Sequence, residues 1–354
     1  MLGIRLKRAR QGRCLSLRQL AAKAGLSHNA ISKYERELDT PGSGALIKLA
    51  KALEVKPEYF FRQDTREYHI KARFRCKKEL PPKQIKAMYG KIAEWLERYE
   101  EIESYFPSEQ KAHQPLETFR RKISGVEEME TLAGQLRAEW NVGNDAIGNL
   151  TELVESFGIK VGVFDTIDDL VGCVFTVGEN VPVIAVAKGI PGDRERFTIA
   201  HELGHLLIEE ENGGYPEGFF DRFAGAFLVP RECAFRELGL KRKTLGRHEL
   251  EILKKKYGLS MKGWIHRAHD LGIIPEGYAE KCFRFFKNSG FDQTEPGEQF
   301  PFEEPSRLQR LVLRALVENL VSESKAADLL NLSVAELRKS LEGKDEEMPF
   351  ALCR

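Results

Sequence analysis

The stretch His201-Glu202-Leu203-Gly204-His205 constrains this chain more than any other five residues. On an α-helix, side chains four apart share a face, so His201 and His205 can present two imidazoles to one metal ion. Glu202, one residue round from His201, is placed to take a proton from water without being a ligand. Two His ligands, an open position and a nearby carboxylate base are the parts of zinc-dependent peptide hydrolysis. Ile199, Ala200, Leu203, Leu206, Leu207 and Ile208 make the surrounding helix apolar, as expected for a helix that passes through a core. Ionisable groups in such a helix are costly to bury unless something satisfies them, and a metal ion does so.

A third protein ligand is then needed, and the next predicted helix supplies Glu217 after the loop Glu209 to Pro216, with Pro230 as its stop. The segment resembles the ImmA/IrrE family of metallopeptidases, whose signature R-F-T-x-A-H-E-L-G-H-x-L is matched closely from Arg196 to Leu207. In that family's following E-x-x-A-N-x-F-A-x-x-L-L-x-P helix, Glu217, Phe223, Ala224, Leu228 and Pro230 fall on the pattern. Phe220 and Asp221 stand where the pattern has Ala and Asn. The resemblance implies Glu217 as the third Zn2+ ligand and Asp221 as the group that orients a ligand imidazole. Tyr215 reads as a packed loop tyrosine, with donation to a tetrahedral intermediate as the alternative.

The N-terminus carries an independent signal. Residues 1 to about 62 read as five short helices. Ser16 caps a helix lined by Leu17, Leu20, Ala21 and Ala24. Gly25 permits a left-handed turn, and Ser27 caps a second helix packed through Ile31 and Tyr34. This is similar to the Cro/repressor-type (XRE) helix-turn-helix domain. Thirteen Lys and Arg against five Asp and Glu give this region +8, which leaves −7 for the rest of a chain of net charge +1. A basic module on an acidic body is the footprint of a phosphate-backbone partner. The second helix of such a motif enters the major groove, which puts Ser27, His28, Asn29, Ser32 and Lys33 towards base edges and the backbone. Asn29 can read adenine bidentately, its amide oxygen accepting and its amide NH2 donating. Arg18 and Gln19 sit where folds of this kind touch phosphates.

The chain has 354 residues, enough for two or three domains. No apolar run approaches the roughly 20 residues needed to cross a bilayer, and the N-terminus reads as helix rather than leader. The six cysteines are scattered without a C-x-x-C, so neither a disulfide framework nor a thiolate zinc site is expected. Tyr68 to Lys78 alternates basic and apolar residues as an extended arm. Pro81 to Phe106 forms a long amphipathic helix, read as packing on the catalytic body, with dimerisation as the alternative. Helices are expected at 133–141 and 149–157, and strands at 158–164, 170–177 and 181–187. Val183 to Ala187 is taken as the sheet edge that would hold an extended peptide. Residues 250–274 read as helical, with His266 and His269 packed or solvated rather than ligands. Asp292 to Pro305 reads as a linker. Ser322 to Leu341 echoes the layout of Ser16 to Tyr34, with Asn331 at the turn position of Gly25, and is read as an interaction or packing element.

The expected fold is α+β and mainly α. Its parts are a helix-turn-helix DNA-binding domain (1–62), a linker arm and amphipathic helix (63–126), a zincin-like domain (127–275), and a linker with a helical C-terminal region (276–354). The expected function is a cytoplasmic DNA-binding transcriptional regulator carrying a zinc-dependent peptidase domain that cleaves a regulatory protein; its partners are double-stranded operator DNA and a protein substrate or regulatory partner. No membrane partner is expected, and a homodimer is compatible with the pattern. The rival readings are a regulator whose zincin fold only senses, and the antitoxin of a toxin–antitoxin pair.

Overall fold

The computed structural model describes residues 2–61, 71–76, 81–107, 116–165, 170–177, 181–209, 214–292 and 294–342. The chain divides into two compact units, one made of Met1–Ile70, Lys78–Ala112 and Ser306–Arg354, the other of Lys71–Lys77 and His113–Pro305.

The first unit opens with α1 (Leu2–Gly12), α2 (Leu17–Ala24), α3 (His28–Glu35) and α4 (Ser43–Leu53). The expected fifth helix is a short 3₁₀ helix, Pro57–Phe61, which buries Tyr59 and Phe60 against Leu6, Leu20, Ile31, Leu49 and Leu53. The start of α2 is fixed by a reciprocal cap: the Gln19 amide N–H donates to Ser16 Oγ at 3.2 Å, and Ser16 N–H donates to Gln19 Oε1 at 2.8 Å. Gly25 ends α2 at φ 62°, a left-handed conformation that costs glycine nothing. Ser27 Oγ then accepts the Ala30 N–H at 3.1 Å and starts α3.

The long helix α5 (Pro82–Glu103) belongs to this unit. Its apolar stripe, expected on the catalytic body, is buried here. Glu97 receives the guanidinium of Arg5 at 3.0 Å and that of Arg8. Further along, Tyr99, Ile102 and Phe106 pack with Leu311, Val312, Ala315, Ala326 and Leu329 of the C-terminal helices Arg307–Val317 and Glu323–Leu329. Asn331 adopts φ 58° before the last helix, Val334–Glu342, so the tail does repeat the turn geometry of Gly25. It is packed on α5.

The second unit holds a four-stranded sheet in the order β1-β3-β4-β2, from β1 (Lys71–Cys76), β2 (Lys160–Phe164), β3 (Leu170–Val177) and β4 (Val181–Ala187). β1 is the middle of the expected extended arm; residues 68–70, 77 and 78 of that arm lie outside the described residues. β4 pairs antiparallel with β3 and parallel with β2, so it is an interior strand. This corrects the reading of Val183 to Ala187 as an edge. Its unbroken apolar run is the pattern of a strand buried on both faces, and Val183 to Ala187 are all buried.

Around the sheet lie α6 (Glu128–Glu139), α7 (Leu150–Ser156), α8 (Gly192–Leu207), α9 (Glu217–Leu228), α10 (Arg231–Leu238), α11 (Arg247–Tyr257), α12 (Met261–Asp270) and α13 (Glu276–Asn288). α8 crosses β3 and β4, and α9 packs against α8 and α6. Ile184, Ile199, Leu203, Phe223, Phe227 and Trp264 are all wholly buried in the resulting core. The stretch before Pro305, read from its composition as a linker, is pinned to this core. Glu303 accepts the Leu150 and Thr151 N–H groups at the start of α7 and pairs with Arg196. Glu295 does the same for Met261 and Lys262 at the start of α12 and pairs with Lys254. A carboxylate at a helix N-terminus satisfies otherwise unpaired N–H groups and meets the positive end of the helix dipole.

Candidate metal centre and DNA-reading helix

α8 is buried along almost its whole length, and its central turns carry His201 and Glu202 into the core. Its N-terminal half is clamped on two sides. Asp193 pairs with Lys254 at 3.0 Å, and Arg196 reaches Glu303 and the Ile147 carbonyl, the latter at 2.9 Å. Glu195 is wholly buried and accepts the Glu303 N–H at 2.8 Å; burial pushes its carboxyl up to about 8.

Three donor atoms converge where α8 meets α9. His201 Nε2 lies 3.3 Å from His205 Nε2 and 3.0 Å from Glu217 Oε2, and His205 Nε2 lies 3.8 Å from Glu217 Oε2. One turn along α9, Asp221 Oδ1 sits 2.8 Å from His201 Nδ1. A carboxylate only accepts, so the proton of a neutral His201 belongs on Nδ1, and its Nε2 lone pair faces the other two donors. Lone pairs and an anionic oxygen facing one another at 3.0–3.8 Å are the donor set for a cation, and nitrogen with carboxylate oxygen suits zinc. Among the described residues, His201, His205 and Glu217 form the one group of three such side chains close enough to hold a metal ion. The residues fit.

Phe220 does not block this group. Its ring stacks on the His205 imidazole at 3.6 Å between centroids and 28° between planes, and is itself wholly buried. The residue that departs from the family pattern therefore packs on a candidate ligand. Tyr215 accepts the Ile123 N–H at 3.0 Å, a packed tyrosine as expected. His266 stacks on Phe283 at 4.1 Å, and His269 faces Asp270.

Gly172 of β3 escaped the sequence reading. A Cβ built there would lie 2.3 Å from Thr198 Cγ2 and 3.5 Å from Glu202 Oε1, so the strand runs directly beside the buried carboxylate. Only a glycine inside a strand pattern could have signalled this approach. Glu295 and Glu303 were missed for another reason: carboxylates that cap distant helices leave no local periodicity.

In the first unit, Arg18, Gln19, Ser27, His28, Asn29 and Lys33 are exposed and Ser32 is half-buried, all on α2 and α3 or their caps. Gln19 is already engaged in the cap with Ser16. The charge excess is smaller at the surface than in the sequence. Arg5 and Arg8 pair with Glu97, Arg10 with Glu35, and Arg13 and Lys23 with Glu54.

Residues 6–60 match the helix-turn-helix family, and residues 154–269 match the IrrE N-terminal-like domain of the M78 peptidase family. An HTH-type transcriptional regulator of Sinorhizobium fredii, y4wC, is 26% identical over 91 residues, 25% of this chain and 64% of that protein. The HTH-type transcriptional regulator ImmR of Bacillus subtilis is 35% identical over 63 residues, 18% of this chain and 50% of that protein. The chain thus spans under two thirds of the length of each. No solved structure matches it. No helix among the described residues is long and apolar enough to cross a membrane.

Proposed function

From a chain that joins an XRE-type helix-turn-helix domain to an IrrE/ImmA-type metallopeptidase-family domain, we propose a transcriptional regulator that binds operator DNA through α2 and α3 and hydrolyses a peptide bond in a regulatory protein. The convergence of His201, His205 and Glu217 beside the buried Glu202 supports this reading most directly. These three residues would hold zinc, which supplies Lewis acidity for water activation and carbonyl polarisation. Asp221 keeps the His201 proton on Nδ1 and so presents Nε2 to the site. Glu202 takes a proton from the attacking water and hands it to the leaving amine.

Metal analysis of the purified chain tests the site without knowledge of a substrate. About one zinc per chain is expected, lost in His205→Ala and kept in Glu202→Gln. Stoichiometric zinc in His205→Ala would sink the assignment. Phe220 supports one second reading, a domain that binds metal and senses without hydrolysis, because its ring covers one face of His205. An intact zinc site with no loss of function in Glu202→Gln is the signature of that reading.

A further inference from the structure

We infer that β1 is an internal surrogate for substrate, seated on the peptide-binding edge of the candidate peptidase. The substrate class is then an extended segment that pairs antiparallel with β3. This rests on the peptidase reading above.

The span matched by the IrrE N-terminal-like domain, 154–269, contains β2, β3 and β4 in the order β3-β4-β2. Within that span alone, β3 is one of the two sheet edges, with β2 the other, and β3 is the one that runs beside α8's Glu202. Its Gly172 is the point where the strand passes beside Glu202. An extended peptide added to that edge would lie next to the candidate catalytic carboxylate, held by main-chain hydrogen bonds. In this chain the edge is taken. β1 lies outside both matched spans and pairs antiparallel with β3, from Lys71 opposite Thr176 to Arg75 opposite Gly172. The register then slips between Arg75 and Cys76. The end of β1 is therefore level with Gly172, the glycine beside Glu202.

The occupant has the form of a peptide ligand. Its sequence, Lys-Ala-Arg-Phe-Arg-Cys, alternates basic and apolar residues. Both chain neighbours of β1 belong to the first unit, so the occupant is covalently part of the DNA-binding unit's own sequence. A tethered strand competes at an effective concentration of the order of millimolar. A free peptide of equal intrinsic affinity therefore gains the edge only once β1 leaves it.

The experiment uses the full chain carrying Glu202→Gln, so that binding is read without cleavage. The probe is a fluorescein-labelled hexapeptide with the sequence of residues 71–76, Cys76 replaced by Ser, with a scrambled hexapeptide as control. Phe74 is the register partner of Cys173, and antiparallel partners are close enough for a disulfide. Phe74→Cys should lock β1 in place when oxidised. The oxidised form should not bind the probe, and the reduced form of the same protein should bind it. Equal binding by the two forms overturns the inference. Ala72→Pro with Arg73→Pro removes one ladder N–H whichever of the two faces β3. That variant, if its circular dichroism is native, should bind the probe about tenfold or more tightly than the parent and discriminate against the scrambled control. Native circular dichroism without this gain also overturns it. Redox-gated binding in a chain that holds no zinc would defeat the peptidase reading and leave β1 as the occupant of a peptide edge.

Discussion

Arg10 and Arg18 carry the same charge to different ends. Arg10 is largely buried, forked onto Glu35 at 2.6 and 2.8 Å, with a further bond to the Leu15 carbonyl at 2.8 Å. Arg18 is exposed on α2. A neutralised phosphate contributes about −0.9 to the slope of log affinity against log salt. Arg18→Ala and Lys33→Ala should each reduce that slope by about 0.9 in titrations of the full chain with duplex DNA. Arg10→Ala should leave the slope unchanged and lower stability by roughly 3 kcal/mol, because Glu35 is left without its guanidinium. A changed slope in Arg10→Ala would show that the pair opens on DNA. Asn29→Ala should weaken a specific site by roughly 1–3 kcal/mol if its amide reads adenine. Equal weakening on random duplex would place Asn29 on the phosphates instead. The +8 of the sequence counts all of these cations alike, and only the fold separates those bound to partners inside the unit from those on its surface.

Between elements, β3 constrains α8 closely. Thr198 Oγ1 donates to the Arg194 carbonyl at 2.8 Å, which fixes Cγ2 against Gly172. Gly172→Ala should therefore lower stability by roughly 1–3 kcal/mol through overpacking. Adding Thr198→Ser, which removes Cγ2 and keeps the hydroxyl, should restore most of that loss in a thermal double-mutant cycle. Additive effects would remove the contact as the cause. A second element-level constraint is electrostatic. Glu195 sits at about 8 in the folded chain against an ordinary 4.5. The folded state holds that proton more tightly than the unfolded one, so this group's contribution is complete below pH 4.5 and is lost as pH rises to about 8. Glu195→Gln keeps an acceptor for the Glu303 N–H, and its melting temperature should fall less than the parent's between pH 5 and about 8. Parallel melting profiles would refute the buried titration. The elements themselves were largely legible: β3 and β4 begin and end where their apolar runs do, and Ser16, Gly25, Ser27 and Asn331 mark the turns by their local chemistry. Strand order was not: β4 is interior because it pairs with β2 as well as β3, and β3 is covered by β1 from far earlier in the chain, pairings that no local pattern encodes. The 292–305 stretch misled for the same reason. Its Pro, Gly and Glu content suggests solvent, whereas Glu295 and Glu303 are buried by partners from four other segments.

At the scale of the whole molecule, the two site readings make opposite demands on one carboxylate. His201, His205 and Glu217 serve either reading, since a sensor needs its ion as much as a hydrolase does. Glu202 is different. It is wholly buried beside Gly172, a position useful to a proton acceptor and of no use to metal retention. The residues proposed to read DNA belong to the other compact unit, so changes at Glu202 should leave operator affinity as it is. If proteolysis carries the regulation, Glu202→Gln should bind the operator like the parent while its target gene no longer responds to the inducing signal. If the domain only senses, Glu202→Gln should respond normally, and His205→Ala, which empties the site, should not. Reporter expression with and without signal, measured beside operator affinity in both variants, separates the two. A normal response in Glu202→Gln would defeat the catalytic reading, and loss of operator binding in that variant would break the independence of the two units on which the comparison depends.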